Sequence, residues 1–276
     1  MCGFCIIPFA RGRARSRAFW DIQREALDLV AAGHQELVLT GVNIGTYAFE
    51  EKTFLDVVKM LLTLPGLQRL RISSIEPTTI PEELTELMAD SRVLCPHLHI
   101  PAQSGDDGVL AAMKRLYTRS EFEAFIANVQ RRVPHAMIAT DLMVGFPGET
   151  PEAFRASCDL LEHSPLAYAH VFTFSERGGT AATKLGDKIS SCLKKERSQS
   201  LHALSEKKKA ETYRRFMGSD MRVLTEERAE DGNCQGFTDN YVKVKIADAA
   251  LRENQLLTAR IASVTSEPVL AHAVVT

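Results

Sequence analysis

The sequence predicts an α/β protein: a series of parallel βαβ units, followed by a small all-β module. Three observations predict this. Short apolar runs alternate with amphipathic stretches of helical period over the first two thirds of the 276 residues. Each apolar run ends in a glycine or a polar loop, as strands that feed crossover helices do. After Met217-Gly218 the period changes from 3.6 to 2.

In chain order, residues 16–32 carry Phe19, Ile22, Ala26, Leu29 and Val30 at helical spacing, and Gly33 stops them. ELVLTG (36–41) reads as a buried strand. Phe54–Leu64 reads as a helix closed by Pro65-Gly66. RLRISS (69–74) is the second strand, and Pro81 opens the next helix. HLHIP (97–101) is the third strand, followed by helices near 107–115 and 119–131. AMIATDLMVGF (136–146) is the fourth, Pro151 opens another helix, and AYAHVFTF (167–174) is the fifth. The loops after them are GVNIG, SSIEP, PAQSGDD, GFPGET and SERGGT. In a parallel barrel the active face is built from such C-terminal loops. Residues 193–216 form a charged amphipathic helix. MRVLTEE, GFTDNYVKVKI, QLLTARIASVTSE and VLAHAVV then alternate as strands of a small barrel or sheet. The expected division is 1–216 and 217–276.

Hydrophobic residues make up 45% of the chain, enough for an ordinary core, and the net charge of −2 gives no global reason to expect nucleic acid or membrane. No apolar run approaches the ~18 residues a membrane helix requires. The stretch after Met1 turns arginine-rich instead of forming a signal-peptide core, so a cytoplasmic protein is expected. The six cysteines are scattered at 2, 5, 95, 158, 192 and 234, which is not a disulfide framework. Cys2 and Cys5 alone are closely spaced. A lone CxxC fits a zinc half-site, a thiol–disulfide pair, part of an iron–sulfur site, or chance. The other four cysteines read as inert small residues. His97 and His99 alternate on one strand and share a face, where hydrogen bonding is the plainer reading than metal binding. GFPGET lacks the Lys-Ser/Thr of a phosphate-binding loop, which argues against nucleotide hydrolysis.

GFCIIPFARGRARSR (3–17), preceded by Cys2 and followed by the loops GVNIG, SSIEP, HIPAQSGDD and GFPGET, resembles the radical S-adenosylmethionine methylthiotransferases. The resemblance implies a partial (β/α)6 barrel lacking its first strand, followed by a TRAM-like RNA-binding β-barrel. In that family three cysteines hold a [4Fe-4S] cluster; Cys2 and Cys5 match the second and third, and the first is expected upstream of Met1. Three thiolates leave one iron open for S-adenosylmethionine. A second [4Fe-4S] cluster is expected only in the full-length protein.

The same resemblance makes Gly41, Asn43, Ser73, Ser74, Glu76, Gln103, Ser104, Asp141, Gly145 and Phe146 cofactor contacts; singly, each reads equally well as a turn, cap or core residue. Arg11, Arg13, Arg15 and Arg17 lie beside the cluster loop and suit phosphate. They would form one stripe if extended and would spread if helical; pairing with acidic neighbours is the plainer alternative. Arg214, Arg215, the lysines 207–209, Lys243 and Lys245 add positive charge near the C-terminal module, and Phe237 and Tyr241 are candidate base-stacking rings or core residues. The implied partners are tRNA, S-adenosylmethionine and an electron donor such as flavodoxin or ferredoxin, with no membrane. RLRISSIEPTTI (69–80) and CPHLHIPAQSGDD (95–107) look most like the branch that adds a methylthio group to carbon 2 of N6-threonylcarbamoyladenosine in tRNA. The alternatives are another branch, acting on isopentenyladenosine in tRNA or on a ribosomal protein, and a non-catalytic RNA-binding remnant.

Overall fold

The computed structural model describes residues 2–248 and 250–276. A short helix α1 (Ile7–Arg11) precedes α2 (Phe19–Ala31), β1 (Glu36–Leu39), the hairpin β2 (Ala48–Phe49) and β3 (Lys52–Thr53), and α3 (Phe54–Leu62). Then come β4 (Arg69–Ile72), α4 (Glu82–Asp90), β5 (His97–His99), α5 (Asp107–Ala112), α6 (Arg119–Arg132), β6 (Met137–Val144), α7 (Pro151–His163), β7 (Tyr168–Thr173) and α8 (Ser191–Arg214). Five further strands complete the chain: β8 (Asp220–Arg228), β9 (Cys234–Thr238), β10 (Lys243–Ile246), β11 (Leu256–Ser266) and β12 (Val269–Val275).

The helix starts follow local chemistry. Thr53 and Asp56 form a capping box on α3, and Thr118 and Glu121 form one on α6. Thr150 caps α7, with Pro151 in its first turn.

β1, β4, β5, β6 and β7 are the five parallel strands the alternation predicts. β1 pairs with β4, and β5, β6 and β7 form one sheet. The two groups are joined where Leu70 N–H donates to Val93 O (2.7 Å) and Ile75 N–H to His99 O (3.0 Å). One face of this arc carries Leu70, Ile72, Leu98, Ile138, Leu142 and Val144, all at most 1% exposed, against Val58, Leu61, Leu84, Ile126, Leu160 and Leu161 of the helices. Each such side chain contributes roughly 1.5–3 kcal/mol of burial.

The opposite, inner face is polar. Arg69 and Arg71 of β4 point there, as do His97 and His99 of β5. The C-terminal strands close into a five-stranded barrel in the order β10-β12-β11-β8-β9. Val223, Val244, Ile246, Ala259, Ile261, Ala271 and Ala273 fill it. Gly236 is obligatory in it, since a Cβ there would lie 2.2 Å from the carbonyl oxygen of Leu224.

This barrel forms a floor beneath the N-terminal ends of the parallel strands. Arg69 donates to the carbonyls of Phe237 (2.9 Å) and Thr238 (3.1 Å), and Arg71 to those of Asp239 (3.1 Å) and Thr238 (3.3 Å). Glu36 receives both arginines, accepting from Arg71 Nε and Nη2 at 3.1 Å each. Arg222 reaches the other way, from β8 to the carbonyls of Gln68 (3.2 Å) and Arg92 (3.1 Å). α8 is shared between the two units: Leu201 belongs to the helix–sheet core, while Ala210 and Tyr213 belong to the barrel core.

The arginine row is neither wholly extended nor wholly helical. Arg11 ends α1, Gly12 takes φ +74°, and residues 13–17 run on without helix.

Candidate active site

The loop that bears Cys2 and Cys5 is anchored by its neighbours rather than frayed. Gly3 N–H donates to Met113 O (2.8 Å), and Ala182 N–H donates to Gly3 O (2.8 Å). Phe4 lies edge-on to Phe146 (6.4 Å between ring centroids), which lies edge-on to Phe174 (5.3 Å). Val109, Met113, Ala153 and Ala182 complete that apolar cluster. The loop therefore rests on the end of α5, the 145–150 loop and the turn at 181–184, on the side where the parallel strands end. Cys5 N–H closes a turn onto Cys2 O (3.3 Å), and both thiols are free and half-buried.

Arg115 sits under this loop. It is 5% exposed, lies 6.0 Å from the Phe4 ring and 5.7 Å from the Tyr117 ring, and donates Nη1 to both oxygens of Glu76 at 2.8 Å. Its charge lies close enough to Cys2 for the two to interact. The Tyr117 hydroxyl donates to the carbonyls of Pro101 (2.9 Å) and Ala102 (3.0 Å), and burial pushes its ionisation well above the ordinary tyrosine range.

Gly145 and Phe146 support the Cys2–Cys5 loop, and Glu76 reaches it through Arg115. Asn43 is exposed on the 41–45 loop, where Thr79 Oγ1 lies 3.4 Å from its Oδ1; Gly45 has no room for a side chain, since a Cβ would lie 2.1 Å from Thr79 Oγ1. Gln103, at φ +68°, exchanges backbone hydrogen bonds with Asp141 and Met143 (2.7 and 2.8 Å). Ser104 is buried, within 3.4 Å of Ser157 Oγ and accepting from Asp106 N–H (3.1 Å). Ser73 is half-buried and Ser74 exposed. Asp141 points to the inner face and bonds His99 Nε2 at 2.8 Å.

The 145–150 loop is held from behind. Glu149 accepts from Gly145 N–H (2.8 Å) and from Arg197 of α8 in a buried ion pair (2.5 Å). Burial raises the Glu149 carboxyl, opposed by the Gly145 amide and Arg197. Lys194 lies over the Phe174 ring (5.1 Å) and against Gly145, where a Cβ would lie 2.4 Å from its Cγ.

Arg11, Arg13 and Arg15 are exposed and without an ion-pair partner among the described residues, whereas Arg17 pairs with Glu25. Arg214 donates to Ser266 Oγ (2.7 Å), Arg215 is exposed, and Lys245 pairs with Asp231. Lys243 is half-buried on β10. Phe237 and Tyr241 stack on each other (4.5 Å), and Tyr241 also meets His97 (4.6 Å) and the Arg71 guanidinium (4.7 Å). Both rings thus belong to the joint between the two units. His97 is fully enclosed there with neither ring nitrogen bonded.

Residues 1–161 match the family described as the Radical SAM superfamily, and the chain belongs to it. Its relatives include the threonylcarbamoyladenosine tRNA methylthiotransferase MtaB of Bacillus subtilis, 37% identical over 251 residues covering 88% of this chain and 55% of the relative. The tRNA-2-methylthio-N(6)-dimethylallyladenosine synthase of Desulforamulus reducens is 38% identical over 228 residues, 82% of this chain and 50% of that one. The chain thus spans about half the length of the curated relatives it matches. Among solved structures, the Escherichia coli radical SAM enzyme HemN, a coproporphyrinogen III oxidase, shares the fold at TM-score 0.54 and 18% identity, covering 69% of this chain and 45% of that one. The radical S-adenosylmethionine methyltransferase TsrM of Kitasatospora setae does so at TM-score 0.51 and 22% identity, over 62% of this chain and 34% of that one.

The residues present fit the superfamily's cofactors in kind. Two free soft donors lie on an anchored turn beside a buried cation, with a glycine-bearing loop at φ +74° next to it. Among the described residues no group of three or more His, Cys, Asp or Glu could hold a metal ion by itself. No described helix is long and apolar enough to cross a membrane.

Proposed function

We propose that the chain is the radical SAM and RNA-binding part of a tRNA methylthiotransferase that modifies carbon 2 of the adenine in N6-threonylcarbamoyladenosine. The observation that carries this reading is the anchored Cys2–Cys5 loop on the strand-end face of a chain whose relatives are tRNA methylthiotransferases. Cys2 and Cys5 are two ligands of the [4Fe-4S] cluster, with further ligation supplied from outside this pair. When bound, the cluster and S-adenosylmethionine supply an adenosyl radical, with the electron coming from a flavodoxin or ferredoxin.

The chain's own residues hold the cofactors and keep water out. Phe4, Phe146 and Phe174 shield one side of the cluster loop, and Arg115, fixed by Glu76, holds positive charge beneath it. The 41–45 loop, Ser73, Ser74, Gln103, Ser104 and the 145–150 loop frame the S-adenosylmethionine side. Arg197 and Glu149 keep the last of these rigid.

Arg11, Arg13, Arg15, Arg214, Arg215 and Lys243 meet RNA phosphates in this reading, and Arg17 orders the row through Glu25. The closed C-terminal barrel is a TRAM-like module. Its Phe237 and Tyr241 serve the RNA by fixing that module to the parallel arc.

The test is nucleoside mass spectrometry of tRNA from a methylthio-deficient host expressing the complete reading frame that contains this sequence. The reading expects 2-methylthio-N6-threonylcarbamoyladenosine, lost with Cys2→Ala or Cys5→Ala. A 2-methylthio-isopentenyladenosine product would assign the other tRNA branch. No modified nucleoside, with tRNA binding intact, would assign the RNA-binding remnant.

A further inference from the structure

The inner face of β5, β6 and β7 contains a group that cofactor binding does not account for. The register sets Asp141 opposite His170 and Met143 opposite Phe172, with Ala139 opposite both His99 and Tyr168. Alternation then puts His99, Asp141, His170 and Phe172 on one face. Below them Met137, Ala139 and Tyr168 are buried against the C-terminal barrel. The lumen is therefore closed at the bottom and open towards the strand ends, where the cluster loop sits.

Above this floor, His99 and His170 stack nearly parallel, 5.2 Å apart at 14°. Tyr168 meets His170 edge-on at 5.5 Å. His99 Nε2 fixes Asp141 Oδ1 at 2.8 Å, and Asp141 Oδ2 has no partner among the described residues. His170 is exposed and Phe172 is 53% exposed, although both lie inside the arc. A merely structural His–Asp pair does not require two exposed rings beside it. Exposed aromatic surface with one oriented carboxylate is the composition of a ligand site.

We propose that this step receives the target nucleobase of the RNA: an extruded purine stacks on His170 and Phe172, and its exocyclic N–H donates to the free oxygen of Asp141. The carboxylate accepts only, so it selects a base edge that presents a donor. His99 is a positioning residue, holding the carboxylate in one orientation. Partial burial of the ring and the neighbouring His99 lower the proton affinity of His170, opposed by Asp141, which favours a neutral ring suited to stacking. Asp141 thereby serves the substrate rather than S-adenosylmethionine.

This rests on the tRNA reading above, and the test separates the two. Binding of fluorescently labelled anticodon hairpins to the full chain is measured with adenosine, N6,N6-dimethyladenosine, or no base at the target position. The proposal expects adenosine to bind roughly ten- to a hundredfold more tightly than the dimethyl form, which lacks the N–H. Asp141→Ala and Asp141→Asn should shrink that ratio, and His170→Ala should weaken the adenosine hairpin without changing the abasic one. Equal binding of all three hairpins by the unaltered chain would overturn this inference and leave the tRNA reading standing. No salt-sensitive binding of any hairpin would overturn both.

Discussion

Replacing Arg71 by alanine should disconnect the two units. Arg71 is 4% exposed. It makes two bonds to Glu36 at 3.1 Å, two to backbone carbonyls of the β9–β10 turn at 3.1 and 3.3 Å, and a cation–π contact with Tyr241 at 4.7 Å. A hydrogen bond to a charged group contributes about 1.5–3 kcal/mol, but such values do not add within one network. Removing one partner of a buried pair costs about 3–5 kcal/mol when the other charge is left unpaired; Arg69 still holds Glu36 at 2.6 Å, so the low end, about 3 kcal/mol, applies. That is the expected loss for Arg71→Ala. Arg71→Lys, which keeps the charge but loses the planar fork, should lose less. Urea unfolding followed by circular dichroism gives the loss, and trypsin cleavage after Arg214 or Arg215 reports opening of the joint. The alanine variant should be cut faster at that site. A loss below about 1 kcal/mol with unchanged cleavage would refute the claim that this network holds the barrel in place.

Three further outcomes follow from the same structure. Burial, with Arg71 beside it, drives the His97 proton affinity well down, so His97 stays neutral when folded and takes up a proton only on unfolding below about pH 6.5. Stability should therefore fall as pH drops through that value, by up to about 1.4 kcal/mol per pH unit from this group; calorimetry at pH 7.5 and 5.5 should show a smaller difference for His97→Gln. Gly105→Ala would place a Cβ 2.3 Å from the backbone oxygen of Ala156, and a loss of about 1–3 kcal/mol by urea titration is expected. Converting Arg11, Arg13 and Arg15 together to alanine should reduce the salt dependence of tRNA binding by about two units of log Kd per log salt, with little change in thermal stability.

Much of the fold was legible because its signals are local. Apolar runs bounded by Gly and Pro marked β1, β4, β5, β6 and β7, and the period-2 alternation after Gly218 marked the closed barrel. The Cys2–Cys5 loop was legible only as a motif. What fixes it, Arg115 on Glu76 and Phe4 on Phe146, joins residues more than thirty positions apart and leaves no periodic trace. The joint was illegible for a similar reason. Arg69 and Arg71 look like an alternating solvated pair on a strand, and only the tertiary fold shows them buried against carbonyls 167–169 residues away. Tyr241 read equally well as a base platform or a core ring. Its φ of +74° and its place between Phe237 and Arg71 come from the turn it occupies. α1 was missed because Pro8 and Gly12 bracket only one turn of helix.

Anaerobic reconstitution tests the central claim, that Cys2 and Cys5 hold an iron–sulfur cluster, most directly. The chain is incubated with ferric iron, sulfide and excess small-molecule thiol, which reduces half of the iron as it forms its disulfide and can occupy any position the two cysteines leave open. Iron, sulfide and visible absorption are then measured on the desalted protein. The account predicts a brown protein with broad absorption near about 400 nm and about four irons per chain, lost in Cys2→Ala and Cys5→Ala and retained when Cys95, Cys158, Cys192 or Cys234 is replaced. A colourless protein, or colour indifferent to Cys2 and Cys5, would contradict it.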